Sequence, residues 1–196
     1  MKKVLTLVLF TSLILFFSCG KGDKKSEPTS QKDMKTAVSK ADFFKAVKDG
    51  TTAKVKEYIE LDKSLVNAID SSSGINETAL GIATFAGNKE LTELLIKNGA
   101  NVNFQDAFGV APIHGAARTN RLDVIKILLD NKADINLPTT TGKETPLHYA
   151  ARFNNPDVVK LLLDNGASKD SKDASGITPY EAAKKENAEK VLPLLK

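Results

Sequence analysis

The chain holds two histidines, His114 and His148, and a single cysteine, Cys19. These are the side chains best suited to chemistry near neutral pH, an imidazole as general base or metal ligand and a thiolate as nucleophile. Base catalysis needs a positioned partner, and a metal centre needs further donors at ligand spacing. No nucleophile motif, phosphate-cradling glycine loop or Cys/His metal spacing occurs in the sequence. Carboxylates such as Glu57, Glu90 and Glu93 fall at helical intervals beside lysines, the arrangement of solvated helix faces. Any catalysis would rest on His114 or His148. The reading is of a non-catalytic chain, with no cofactor, metal or small-molecule substrate expected.

The surroundings of the histidines explain them better than catalysis does. "APIHGAARTNR" (111–121) and "TPLHYAARFNN" (145–155) align with "TALGIATFAGN" (78–88) and "TPYEAAKKENA" (178–188) at a period of 33 or 34 residues. A fainter copy, "ADFFKAVKDGT" (41–51), precedes them. A second block follows each: "KVKEYI" (54–59), "ELTELLI" (90–96), "DVIKILL" (123–129), "DVVKLLL" (157–163) and "KVLPLL" (190–195). Three copies then close on "NGANVN" (98–103), "NKADIN" (131–136) and "NGASKD" (165–170).

Each unit reads as two short amphipathic helices and a turn. Thr145 is placed to cap the first helix and Pro146 fills its first position, where a missing N–H costs nothing. Ala83, Ala116, Ala117, Ala150, Ala151 and Ala183 let neighbouring backbones approach. Gly50, Gly87, Asn120, Asn154 and Asn187 share the place where the first helix stops, and only Gly and Asn readily take the left-handed conformation that ends a helix. Leu161, Leu162 and Leu163 give the second helix its apolar face, and Gly166 ends it. Lys132 stands where Gly is expected, residues 70–77 form a longer turn, and the 139–142 turn holds one extra residue.

These motifs resemble the ankyrin repeat, best matched at T-P-L-H (145–148) and LLL-x-x-GA (161–167). The resemblance covers residues 41–196 and implies an all-α solenoid of helix-turn-helix units with β-hairpin-like turns. It gives about five repeats including both caps, at roughly 41–70, 71–103, 104–136, 137–170 and 171–196. Lys184, Lys185, Glu186 and Lys190 give the last unit the polar outer face an end repeat requires. The resemblance implies that the T-P-L-H histidines make structural hydrogen bonds between adjacent turns. It also implies a protein partner contacting the concave face made by the turns and the exposed side of the first helices. Transferred by alignment, that face holds Phe85, Phe108, Val110, Arg118, Lys143, Arg152, Phe153 and Ile177. Aromatics and arginines dominate interface hot spots. Phe85 and Phe153 could instead pack between neighbouring helices; Phe108, on a turn, is harder to bury. The family also offers a second expectation, an accessory role beside an exported enzyme such as a peroxide-removing one.

The N-terminus has a different character. Lys2 and Lys3 precede an uncharged, mostly apolar run from Val4 to Phe17. As a helix this run would rise roughly 21 Å, short of a ~30 Å hydrocarbon core, and its layout is that of an export signal. "LFFSC" resembles the lipobox of bacterial lipoproteins, with Phe16 in place of the usual Leu. The resemblance implies cleavage after residue 18, lipidation of Cys19 and a location in the bacterial cell envelope, on the periplasmic face or outer membrane. Two or more acyl chains suffice for stable anchoring. Residues 19–40 read as a disordered tether, too poor in large apolar side chains to fold, with a reach of roughly 25 Å. The net charge of +4 comes from this leader and tether, and residues 41–196 are close to neutral. That argues against a nucleic-acid groove.

Overall fold

The computed structural model describes residues 38–196. The expected export signal, Cys19 and most of the expected tether lie outside the described residues. Ten α-helices follow in pairs: α1 Lys40–Lys48 with α2 Thr52–Leu61, α3 Ala79–Ala86 with α4 Lys89–Lys97, and α5 Pro112–Arg118 with α6 Leu122–Asp130. α7 Pro146–Arg152 pairs with α8 Pro156–Asp164, and α9 Pro179–Lys185 with α10 Leu192–Leu195. The odd-numbered helices pack in one layer in chain order and the even-numbered helices in a second, giving an all-α solenoid.

Each first helix is short because its sequence stops it. Gly50, Gly87, Asn120, Asn154 and Asn187 all have φ between 54° and 77°, the left-handed turn expected there. The next chain segment bonds back across the turn, as when the Asn155 N–H donates to the Ala150 carbonyl at 3.0 Å. Ala83, Ala116, Ala117, Ala150, Ala151 and Ala183 of the first helices are buried, so these helices meet through backbone and methyl groups. Leu80, Ile113 and Leu147 fill equivalent core places, and Leu91, Leu95, Ile125, Leu128 and Leu162 close the core from the second layer. Full burial of each such side chain contributes about 1.5–3 kcal/mol.

The second helices end on Gly99, Lys132 and Gly166, with φ of 93°, 69° and 89°. Lys132 therefore adopts the left-handed conformation despite carrying a Cβ. Beyond these stops runs a ladder absent from the sequence-level expectations. Asn67 accepts from the Asn101 N–H and donates to the Gly99 carbonyl, both at 2.9 Å. Asn103 bridges Asp134 and Lys132 in the same way, and Asn136 bridges Ser168 and Gly166. Each asparagine side chain thus holds the helix stop of the following repeat.

The turns form a row on the other side. The long 70–77 segment closes through an antiparallel pair, β1 Ile69–Asp70 with β2 Glu77–Thr78. In the later turns Asp106 N–H donates to the Val110 carbonyl and Asp173 N–H to the Ile177 carbonyl. The Asp106 and Asp173 carboxylates each accept two further backbone N–H groups of their own turn. Neighbouring tips are tied together by Ala107 N–H to the Ile75 carbonyl and Ala174 N–H to the Gly142 carbonyl. Thr141 Oγ1 donates to the Phe108 carbonyl between them. Thr139 replaces aspartate in the turn with the extra residue, and its hydroxyl accepts from the Glu144 N–H at 3.0 Å.

Candidate binding face

The histidines sit at the base of these turns. His114 Nδ1 accepts from the Ala111 N–H at 3.1 Å, which leaves the ring proton on Nε2, 3.1 Å from the Glu144 carbonyl of the next repeat. His148 repeats the arrangement with the Thr145 N–H at 3.1 Å and the Ile177 carbonyl at 2.9 Å. Both rings are fully buried. Burial holds the His114 imidazole down at about 4, opposed by its backbone hydrogen bonds. An imidazole with both nitrogens bonded and no solvent access neither abstracts a proton nor binds a metal. Among the described residues no His, Cys, Asp and Glu cluster has metal-binding geometry.

Thr145 does not cap its helix as expected. Its hydroxyl lies 2.9 Å from His148 Nδ1, and the ring, rather than the threonine, satisfies the end of the helix by accepting the Thr145 N–H. Thr178 keeps the cap: its hydroxyl accepts the Glu181 N–H while Glu181 accepts the Thr178 N–H. Glu181 thus stands in for histidine in the last repeat.

The residues expected on the binding face lie along the turns, on α3, α5 and α7, and at the end of α7. Phe108, at a turn tip, is 53% exposed; Phe85 and Phe153 are 48% and 45% exposed. Packing of Phe85 and Phe153 wholly between helices is therefore not what the fold does. The Arg118 guanidinium lies 5.8 Å from the Phe85 ring centre and 5.0 Å from that of Phe153, so one cation joins the aromatics of the repeats on either side. Val110 and Ile177 are half-buried at the return of their turns, and Lys143 is exposed with φ of 50°.

Arg152 is bound differently. It hydrogen-bonds the Glu144 carboxylate and approaches Glu186 at 3.9 Å, and the bond to Glu144 raises the guanidinium pKa above its ordinary value. These two acids were not among the sequence-derived candidates, although the alignment contains them: Glu77, Val110, Glu144 and Ile177 share one place. A shallow cavity between the second and third repeats is lined by Glu77, Phe85, Phe104, Asp106 and Val110. Burial raises the Glu77 carboxyl, with Asp106 and Asp70 adding to the effect and Lys48 opposing it. A second cavity is lined by Glu144, Arg152, Asp173, Lys185 and Glu186. The face as a whole offers exposed aromatics, one stacked cation and acidic margins, which is equipment for contact with another surface. No helix among the described residues is long and apolar enough to cross a membrane.

Comparison with known proteins agrees with the architecture. A family model described as "Ankyrin repeats (3 copies)" matches residues 43–139, and one described as "Ankyrin repeats (many copies)" matches 138–183. The chain is 36% identical over 103 residues to the ankyrin repeat and KH domain-containing protein mask of Drosophila melanogaster, covering 52% of this chain and 3% of that protein. It is 36% identical over 66 residues to protein phosphatase 1 regulatory subunit 12A of Mus musculus, 34% of this chain and 6% of the relative. It is 33% identical over 113 residues to a Caenorhabditis elegans homologue of transient receptor potential cation channel subfamily A member 1, 57% of this chain and 9% of the relative. The chain thus matches only a small part of each of these proteins. With its repeat period, paired helices, linked turns and two matching models running from residue 43 to 183, the chain belongs to the ankyrin-repeat family.

Proposed function

We propose that the chain is a non-catalytic scaffold that binds a protein partner through its concave, turn-side face. The observation that carries this is that Phe85, Phe108 and Phe153, the three most exposed large apolar side chains among the described residues, share one face of the solenoid. Large aromatics left in water are unfavourable unless something covers them, and aromatic and arginine side chains are the anchors that dominate interfaces. A protein partner is also supported by a relative named as a regulatory subunit of a phosphatase. In the same proposal, lipid on Cys19 holds the scaffold at a bacterial envelope membrane, and the polar segment after it sets the standoff. The support is the Lys2–Lys3 start, the apolar run and the "LFFSC" sequence.

Two experiments test the two halves. Crosslinked capture from intact cells, comparing wild type with Phe108→Ala, tests binding; undiminished capture by a variant of unchanged melting temperature contradicts the assigned face. Metabolic labelling with a fatty acid, comparing wild type with Cys19→Ser, tests the anchor; an unlabelled wild-type chain refutes it.

A further inference from the structure

Arg118 and Arg152 occupy the same place in adjacent repeats, yet their surroundings differ in one systematic way. Arg152 is neutralised by Glu144 from the turn of its own repeat and faces Glu186 of the next. One repeat earlier, the place of Glu144 is taken by Val110 and the place of Glu186 by Phe153. Both acids that would answer Arg118 are thereby replaced by apolar side chains. Among the described residues no carboxylate pairs with Arg118 and no acceptor takes a hydrogen bond from its guanidinium. Its neighbours are the Phe85 and Phe153 rings, in cation–π range on either side. The rings attract the charge but leave the guanidinium N–H donors without acceptors, and these suit a bidentate carboxylate.

We propose that Arg118 receives a single carboxylate from the partner, an Asp or Glu side chain flanked by apolar residues that cover Phe85 and Phe153. This rests on the binding-face reading above and specifies its partner chemistry. The flanks argue for one acid, not a polyanion. On one side lies the cavity with Glu77 and Asp106; on the other Glu144, Asp173 and Glu186 line a cavity together with Arg152 and Lys185. A second acid toward Glu77 and Asp106 would meet like charge, and toward the other cavity it would compete with carboxylates already beside the cations, whereas one carboxylate over Arg118 meets the cation held without an ionic partner.

Selection of a random-peptide phage library on the full chain tests this, followed by binding of the enriched peptides to variants. Wild type is expected to enrich peptides with one Asp or Glu among apolar residues. Arg118→Glu should weaken them by about tenfold or more. Val110→Glu supplies from within the chain the acid that Arg152 already has, and should weaken the same peptides. Enriched peptides without acids, or acidic peptides insensitive to both substitutions, overturn the proposal. If such peptides still lose binding on Phe85→Ala, the binding face stands and only the carboxylate assignment falls. Peptides indifferent to Phe85→Ala, Phe108→Ala and Arg118→Glu alike overturn both readings.

Discussion

His148 Nε2 donates to the Ile177 carbonyl across a repeat boundary at 2.9 Å, and His114 makes the same bond to Glu144 one repeat earlier. Each ring also accepts the N–H of the residue three places before it. The histidines are therefore couplings between units, each bonding one backbone group of its own repeat and one of the next.

Removing one coupling should cost more than a typical surface change. His148→Ala strips the partner from the Thr145 N–H and takes one of two donors from the Ile177 carbonyl, which keeps the Asp173 N–H; a buried unsatisfied group costs about 1–3 kcal/mol. A loss of about 1–3 kcal/mol in urea-unfolding free energy is expected. A loss below about 0.5 kcal/mol, the range of ordinary surface substitutions, would mean the bonds do not couple the repeats.

Acid should weaken the fold in two stages. Burial holds His114 at about 4, below its ordinary 6.5, so the unfolded chain takes up the proton first and stability falls as pH drops from 6.5 to about 4. The fall is on the order of 3 kcal/mol at most, and His114→Gln should flatten it. The hydrogen bond from Lys48 holds Asp70 at about 2, below 3.8. The stability from that pair is present above about 4 and is lost as pH falls toward 2. Denaturant titrations at pH 7.5, 5, 4 and 2.5 separate the stages; a variant curve parallel to wild type between 6.5 and 4 would contradict the His114 assignment.

Lys132 is a helix stop in a glycine conformation, with φ of 69°. A left-handed backbone costs a residue with a Cβ about 1–2 kcal/mol, partly offset by the greater unfolded-state freedom of glycine. Lys132→Gly should therefore stabilise the chain by about 0.5–1 kcal/mol, since the Asn103 bond to the Lys132 carbonyl needs only backbone. An unchanged or lower melting temperature would show that the lysine side chain contributes something the backbone does not.

Gly109 is the opposite case. Its φ is 79° and a Cβ would strike the backbone N of Thr140. Gly109→Ala should separate the second and third tips and destabilise by about 2 kcal/mol or more. Faster hydrogen exchange at 106–110 and 139–143 would register it, and unchanged protection there would contradict the tip-to-tip packing.

Much of this fold was legible because the repeat writes each structural decision several times. The Gly and Asn stops, the small residues of the first helices and the T-P-L-H histidines each recur in register, so local chemistry and period agree. Thr145 was misread because capping preference is a local rule, and the buried ring three residues on outcompeted it. The Asn67–Asn103–Asn136 ladder was hidden because an asparagine after a helix stop also reads as an ordinary turn residue. The pairing of Arg152 and the lack of a partner at Arg118 needed coordinates. Two arginines at one aligned place differ through the acids that their own repeat and the next one supply.

Photo-crosslinking from a benzophenone side chain at single positions in living cells tests the binding face most directly. Positions 85 and 108 lie on the proposed face, and Lys126 and Lys160 are exposed on the second helices. A discrete protein adduct is expected from 85 and 108 and none from 126 and 160. Adducts from 126 and 160 with none from 85 and 108 would place the partner on the opposite side and contradict the proposed face.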